Sequence, residues 1–452
     1  MELHLIGIGL LALVFILGTT RGINLGAIAL VCGGILVMLF AEDGADALYD
    51  AFPGDLFVLL VGVTFLFGIA TVNGTIEWIV EALSRVLRGR ASLMPWLLFA
   101  IAGIVTSVGA LAPAVVALVA PIGMRLAKRH GINPVLAALM ILHGASCGNF
   151  SPVNLLGATV NGTLTRGGLE PQPILLFLAN ASYNVTLGVV IYLAFGGLRL
   201  VKEERASRIL FVNSRELVTV RGGSAGTLGR GDDEPVHASN SGTSATDNGA
   251  DEPIRFTPIR GITLLIILVV GTVAMLGLAD IGLLALTAAV GLMVAAPKSF
   301  AEAPKKIAWG VVLLITGVVA FVGVLKGMGT IDFMGNLANN LGSPLLTAFI
   351  LCLIGAVVSA FASSAGIIAA LIPLAMPFLV SGDISVIGLT IALTISATVV
   401  DSTPFSTIGA LALSNADPED HQRVYRGLLR WGAAMVVTAP IITMLFILPG
   451  MG

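Results

Sequence analysis

The residue with the most chemistry to offer is an acid, Asp401, set between the apolar ISATVV at 395–400 and STPFST at 402–407. A charge inside so apolar a stretch is costly unless it serves a cation, a proton or a helix end. Its neighbours are hydroxylic, with Thr398, Ser402, Thr403, Ser406 and Thr407 close by, and Pro404 removes an N–H among them. The pattern occurs twice. SPVNLLGA at 151–158 matches TPFSTIGA at 403–410, an offset of 252 residues that pairs Asp401 with Asn149. A carboxylate in one copy and an amide in the other would make two related but unequal cation sites. The first could bind Na⁺ with charge compensation or carry a proton.

Such chemistry needs broken helices. Backbone that leaves the helical path at membrane depth survives only where it is buried in protein or lines a wet cavity. Half-helix N-termini there present N–H groups and a positive dipole end to a carboxylate. Carbonyl, hydroxyl and amide oxygens suit a hard monovalent cation. In the first half, substrate contacts are expected from Ser107, Gly109, Ala110, Ser151, Pro152 and Asn154, and cation contacts from Ser146, Gly148 and Asn149. In the second half, Ser363, Ser364, Thr403, Pro404, Ser406 and Thr407 are the substrate set, and Thr398, Asp401 and Ser402 the cation set. Asn149 and Asp401 are the sodium candidates, with H⁺ as the alternative coupling ion. The plainer readings stay open: serine and threonine in membrane helices often bond a backbone carbonyl, and Asp401 suits a cap. His143, just before the first break, is either a proton shuttle or a hydrogen-bonding residue in the packing.

The elements that must position these residues also repeat. SVGALAPAVVALVAPIGM at 107–124 matches SAFASSAGIIAALIPLAM at 359–376 at the same offset of 252, and LFGIATVNGTIEW at 66–78 matches FVGVLKGMGTIDF at 321–333 at 255. Composition sets the class. Of the 452 residues, 56% are hydrophobic and 11% charged, against roughly 25% charged in an ordinary soluble domain. Apolar runs at 3–19, 23–41, 56–72, 173–198, 261–279, 281–296, 307–325 and 431–448 are each long enough to cross a bilayer or nearly so. The first run lacks a basic segment before it and is expected to be retained rather than cleaved.

The expectation is therefore an all-α polytopic membrane protein built from two inverted-topology repeats, each with a re-entrant helical hairpin and an interrupted transmembrane helix. The first repeat spans 1–200, with its hairpin at about 92–127 and broken helix at about 133–165. The second spans 258–452, with the hairpin at about 344–380 and broken helix at about 385–414. Between them, 201–257 is rich in Gly, Ser, Asp and Asn and reads as a largely disordered tether or regulatory loop. Its start, 209–220, could form one short ordered element, and 77–90 reads as an interfacial helix with Arg85, Arg88 and Arg90 facing headgroups.

An odd number of crossings per half inverts the second copy, and the positive-inside rule gives the same answer. With the linker in the cytoplasm, most arginines and lysines outside it, among them Arg21, Arg125, Lys128, Lys305, Arg423 and Arg430, fall on the cytoplasmic side, while Arg166 and Lys326 fall opposite. Both termini are then outside, in a cell membrane. Cys32, Cys147 and Cys352 have no metal-ligand or redox spacing.

Three segments carry a resemblance: FPGDLFVLLVGVTFLFGIATVNGTIEW at 52–78, GALAPAVVALVAPIG at 109–123 and HGASCGNFSPVNLLG at 143–157. In them the chain resembles the MatC-type dicarboxylate (malonate) carriers, within the ion transporter superfamily that includes divalent anion:sodium symporters. The resemblance implies cation-coupled uptake of a small dicarboxylate such as malonate or succinate, an elevator-type movement and a homodimer, with no cofactor and no nucleic acid partner. Ser-Asn-Thr tripeptides mark the hairpin tips and breaks of the better-known symporters, and this sequence lacks them at all four places. Two rivals remain at this stage. One is a related carrier of citrate, sulfate, arsenite or protons. The other is an intramembrane hydrolase using Asp401 or a serine, which would need a second acid or a placed base. No P-loop of the GxxxxGK[ST] kind is present.

Overall fold

In a computed structural model of the protein, residues 2–21, 23–76, 78–79, 82, 91–204, 257–275, 278–331, 333, 343–360, 364–380 and 384–447 are described. Most of the linker at 201–257, nearly all of 77–90, and Ser363 lie outside the described residues. The longer helices of the first half are α1 (Glu2–Arg21), α2 (Leu25–Phe40), α3 (Gly54–Val72), α4 (Met94–Ser107), α5 (Ala112–Arg129), α6 (Pro134–Cys147), α7 (Leu155–Arg166) and α8 (Pro173–Ala194). In the second half they are α9 (Pro258–Met275), α10 (Ile281–Ala295), α11 (Trp309–Gly327), α12 (Pro344–Ser359), α13 (Ser364–Val380), α14 (Val386–Val399), α15 (Thr407–Ser414) and α16 (His421–Thr443). Among the described residues there is no strand.

Local chemistry explains where these helices start. Asn24 caps α2 by accepting from Gly26 N at 2.9 Å, and Asp280 caps α10 by accepting from Leu283 N at 2.8 Å. Asn133 and Ser385 cap α6 and α14 in the same way, and Asn154 and Ser406 cap α7 and α15. The last two pairs stand at the 252-residue offset seen in the sequence. Each cap satisfies one of the free N–H groups of a first turn.

Among the described residues, five helical segments are long and apolar enough to cross a membrane: Gly54–Val72, Pro173–Ala194, Trp309–Gly327, the interrupted Val386–Ser414 and His421–Phe446. Large apolar side chains point outward from several helices, including Val31, Met38 and Leu39 on α2, Leu178 on α8, Leu265 and Leu268 on α9, and Val437 and Ile441 on α16. Water would not tolerate so broad an apolar surface, whereas lipid does. The protein is an all-α, multi-pass membrane protein.

Packing falls into two units. One joins α1–α3 with α9–α11, chiefly through α2 against α11 and α3 against α10. Small residues allow these crossings: a Cβ at Gly26 would overlap the Leu313 carbonyl and one at Gly317 the Gly26 carbonyl. At the other crossing a Cβ at Gly62 would overlap the Gly282 carbonyl, and one at Gly282 would press on Leu59. The two contacts are thus the same contact made twice with the halves exchanged.

The second unit gathers α4–α8 and α12–α16. In it α4 packs on α6 and α12 on α14, while α5 meets α15 and α7 meets α13 across the halves. Lys128 at the end of α5 reaches Asp417, in the loop after α15, at 2.5 Å, and its ammonium holds the Asp417 carboxyl below the usual carboxylate range. The two units touch chiefly through α11 with α13 and α3 with α7.

Adding a side chain at a glycine crossing should cost about 1–3 kcal/mol or more through overpacking. Gly317→Val should therefore lower the melting temperature of the detergent-solubilised protein clearly. Gly9→Ala, where a Cβ meets nothing within 4 Å, should leave it unchanged.

Candidate functional site

The first break separates α6 from α7. Pro152 supplies no N–H, so the chain cannot run on as helix through it, and Asn154 restarts the helix by accepting from Leu156 N at 3.0 Å. The Asn154 amide also donates to the carbonyls of Thr106 at 3.0 Å and Ala110 at 3.2 Å, at the turn between α4 and α5. Ser151 Oγ donates to the Ser107 carbonyl at 2.5 Å. The turn itself requires Gly109, whose φ of +116° suits no other residue. Gly148 packs so closely on Gly103 and Ser107 that a Cβ there would overlap backbone. Break and hairpin turn are therefore tied into one body.

The second break follows the same plan with different atoms. After α14 comes a 3₁₀ turn, Val400–Ser402, and then Pro404 before α15. Thr403 Oγ1 donates to the Ala360 carbonyl at 2.7 Å, tying the break to the end of α12. Ser406 Oγ caps α15 at Gly409 N, 3.1 Å away, and lies against the carbonyls of Thr403 and Asp401. Ser402 Oγ bonds the Val399 carbonyl at 2.9 Å, and Thr398 Oγ1 the Thr394 carbonyl at 2.8 Å. Ser364, the first residue of α13, donates to Asp401 Oδ2 at 2.5 Å, and both are buried.

These two assemblies face each other across one cavity of about 90 Å³. It is lined by Leu111, Ala112 and Pro113, by Asn154, Leu155 and Leu156, by Ser364 and Ala365, and by Thr407 and Ile408, with Asn149, Asp401 and Val311. The first residues of α5, α7, α13 and α15 thus all stand at its wall. Four helix N-termini bring free N–H groups and positive dipole ends to one small space. None of the lining residues is basic. The side chains of Asn149, 2% exposed, and Thr407 face this space with no hydrogen-bond partner among the described residues.

Of the sequence-expected residues, Asn149, Asn154, Ser364, Asp401 and Thr407 line the cavity. Ser107, Gly109, Ala110, Ser146, Gly148, Ser151, Pro152, Thr398, Ser402, Thr403, Pro404 and Ser406 are absent from the wall, and their bonds build the breaks and turns behind it. His143 does not reach the cavity. Trp431 Nε1 donates to its Nε2 at 2.8 Å, and its Nδ1 meets Asn184 Oδ1 at 3.1 Å. Sequence reading passed over Asn180, Asn184 and Trp431, although two asparagines one turn apart in the apolar 173–194 run were a visible signal.

Because Asn154 both caps α7 and holds the hairpin turn, Asn154→Ala should cost more than a cap alone. A cap is worth about 1 kcal/mol, and each buried carbonyl left without its donor adds about 1–3 kcal/mol. The melting temperature of the purified variant should fall further than that of Thr398→Ala, whose hydroxyl serves only its own helix.

Residues 1–149 match the family described as dicarboxylate carrier protein MatC N-terminus. The match runs through α1–α6 and stops at Asn149, inside the first break. No curated protein matches the chain. The family is one of carriers rather than enzymes. From its first residue to the first break, this multi-pass membrane protein is similar to the N-terminus of the MatC dicarboxylate carriers, a family of transporters.

Proposed function

We propose that the protein is a secondary active transporter that carries a small dicarboxylate, malonate or succinate in kind, together with a cation. The carrying observation is the convergence of four helix N-termini on a cavity lined by no basic residue. Positive dipole ends suit a carboxylate, and two pairs of them, one from each half, suit an anion with a carboxylate at each end. Unpartnered Asn149 and Thr407 supply a donor and an acceptor within that space.

A dianion beside the Asp401 carboxylate needs positive charge between them. We assign that charge to the coupling ion: Na⁺ or H⁺ at Asp401 with Ser364, and Na⁺ at Asn149, its counterpart in the first half. The site then fills with anion and cation together, which is what couples their movement. A related carrier of citrate, sulfate or arsenite is the second reading. The match of the first 149 residues to a dicarboxylate carrier favours the first.

The movement is assigned to the α4–α8 and α12–α16 unit sliding past the α1–α3 and α9–α11 unit. Sparse contact between the units supports it, as do the glycine crossings that lock the second of them. The same exchange of contacts supports two repeats, which we take as inverted by the positive-inside rule, with both termini outside and the 201–257 linker in the cytoplasm of a cell membrane. The cavity then lies toward the cytoplasm. Gly109 packs on Phe67, near the end of α3, and Gly366 on Leu314, near the start of α11. A homodimer built on the locked unit completes the proposal.

Two experiments test it. In proteoliposomes, labelled malonate or succinate should accumulate under an imposed sodium or proton gradient, and Asp401→Asn should fold but lose gradient-driven accumulation by at least tenfold. Normal ion-driven uptake by that variant would contradict the role of Asp401. For the sliding movement, the native cysteines are replaced and Leu314→Cys is combined with Gly366→Cys. Closing that bridge should stop uptake and reducing it should restore uptake; full transport with the bridge closed would contradict the movement.

A further inference from the structure

A buried line of polar side chains ends at the first break, and it comes from outside the break. Trp431 Nε1 on α16 donates to His143 Nε2 at 2.8 Å, which fixes the imidazole as the tautomer with its proton on Nδ1. Nδ1 donates to Asn184 Oδ1 at 3.1 Å. The Asn184 amide donates to the carbonyl of Asn180 at 3.0 Å and to its Oδ1 at 3.1 Å. The Asn180 amide donates in turn to the carbonyls of Ser146 at 2.9 Å and Cys147 at 3.1 Å, the last two of α6. Every link donates in the same direction, toward the break, and such chains strengthen cooperatively. His143, Asn180 and Asn184 are each at most 1% exposed.

Among the described residues the second half has no such line of amides. At the 252-residue offset His143, Asn180 and Asn184 correspond to Ile395, Gly432 and Val436. There the break is held by its own Ser402, Ser406 and Thr403. A broken helix of this fold can therefore be built without the amide line, so the line answers a need of the first break alone. What differs at the first break is its residue facing the cavity: Asn149 stands where the other half has Asp401, and Ala112 where the other half has Ser364. Among the described residues Asn149 has no side-chain hydrogen-bond partner to fix its orientation, whereas Asp401 is held by Ser364. Its placement depends on the backbone two residues before it, which Asn180 holds.

We propose that Asn180, oriented through Asn184 and His143 by Trp431, is a positioning residue for the cation site at Asn149. This rests on the assignment of Asn149 to a coupling ion. Asn180 takes the negative end of α6 out of the ligand set and sets the angle at which Asn149 meets the cavity. Residues that orient a ligand from behind typically change ion affinity by about 10–100-fold when removed.

The test measures the sodium concentration giving half-maximal uptake of labelled malonate into proteoliposomes, with melting temperature recorded beside it. Asn180→Leu should raise that concentration about tenfold while the malonate KM at saturating sodium changes less than about threefold. Trp431→Phe keeps an aromatic ring and loses only the far donor, so it should give a smaller shift in the same direction. Unchanged sodium dependence in a folded Asn180→Leu protein, or loss of malonate and sodium affinity together in proportion to melting temperature, would overturn the proposal. If Asn180→Leu does not fold, Trp431→Phe with unshifted sodium dependence overturns it instead. Should wild-type uptake not depend on sodium, hydrogen exchange at residues 148–154 decides the positioning role separately. Faster exchange there in Trp431→Phe, with the α14–α15 break unchanged, supports it, and unaltered exchange refutes it.

Discussion

Everything in this molecule turns on one constraint: backbone that leaves a helix inside apolar surroundings must find partners for its N–H and C=O groups, because neither lipid nor packed apolar side chains supply them. The protein breaks two helices in its interior and meets the demand with side chains. Ser151 and Thr403 tie the breaks to carbonyls at the ends of α4 and α12. Asn154 and Ser406 cap the helices that restart. Once these bonds are made, the side chains of Ser151, Asn154, Thr403 and Ser406 are spent. What remains open is the cavity face, where four first turns, Asn149, Thr407 and the Ser364–Asp401 pair stand together. The proposed transport site is the part of each break whose polar groups face the cavity.

The duplication shows how the same problem was solved twice with different atoms. Asn154 and Ser406 perform the same cap, but only Asn154 also reaches across to the neighbouring turn with its amide. The first break is braced by an asparagine of α8, while the second is tied by its own Thr403 to the end of α12. The asymmetry is largest at the cavity, where an unpartnered amide faces a carboxylate that already holds a hydroxyl. Two equal sites would bind the same ion in the same way; two unequal ones allow one ion to be held by geometry and another by charge.

The all-α membrane character was legible because lipid exposure leaves long uncharged runs, and the repeat was legible because polar residues and prolines stand out against them. The fixed offset even places matching caps, Asn133 with Ser385 and Asn154 with Ser406. The cavity wall was harder to read. Ser107 and Ser151, or Thr403 and Ser406, looked like ligands, yet three of these hydroxyls go to nearby carbonyls and Ser107 itself stands off the wall. The wall instead includes apolar residues at the starts of helices, such as Leu111, Leu155 and Ile408. No side-chain pattern announces that. Trp431 joins His143 across 288 residues, a contact that only the packing of α16 on α6 creates.

The most direct test of the central claim is a density map of the protein in lipid nanodiscs with malonate and sodium present. The account predicts an elongated ligand density between the first turns of α5, α7, α13 and α15, within hydrogen-bonding distance of Asn149 and Thr407. An empty cavity, with malonate seated instead on the arginine-lined groove of Arg423, Arg426 and Arg430, would contradict it.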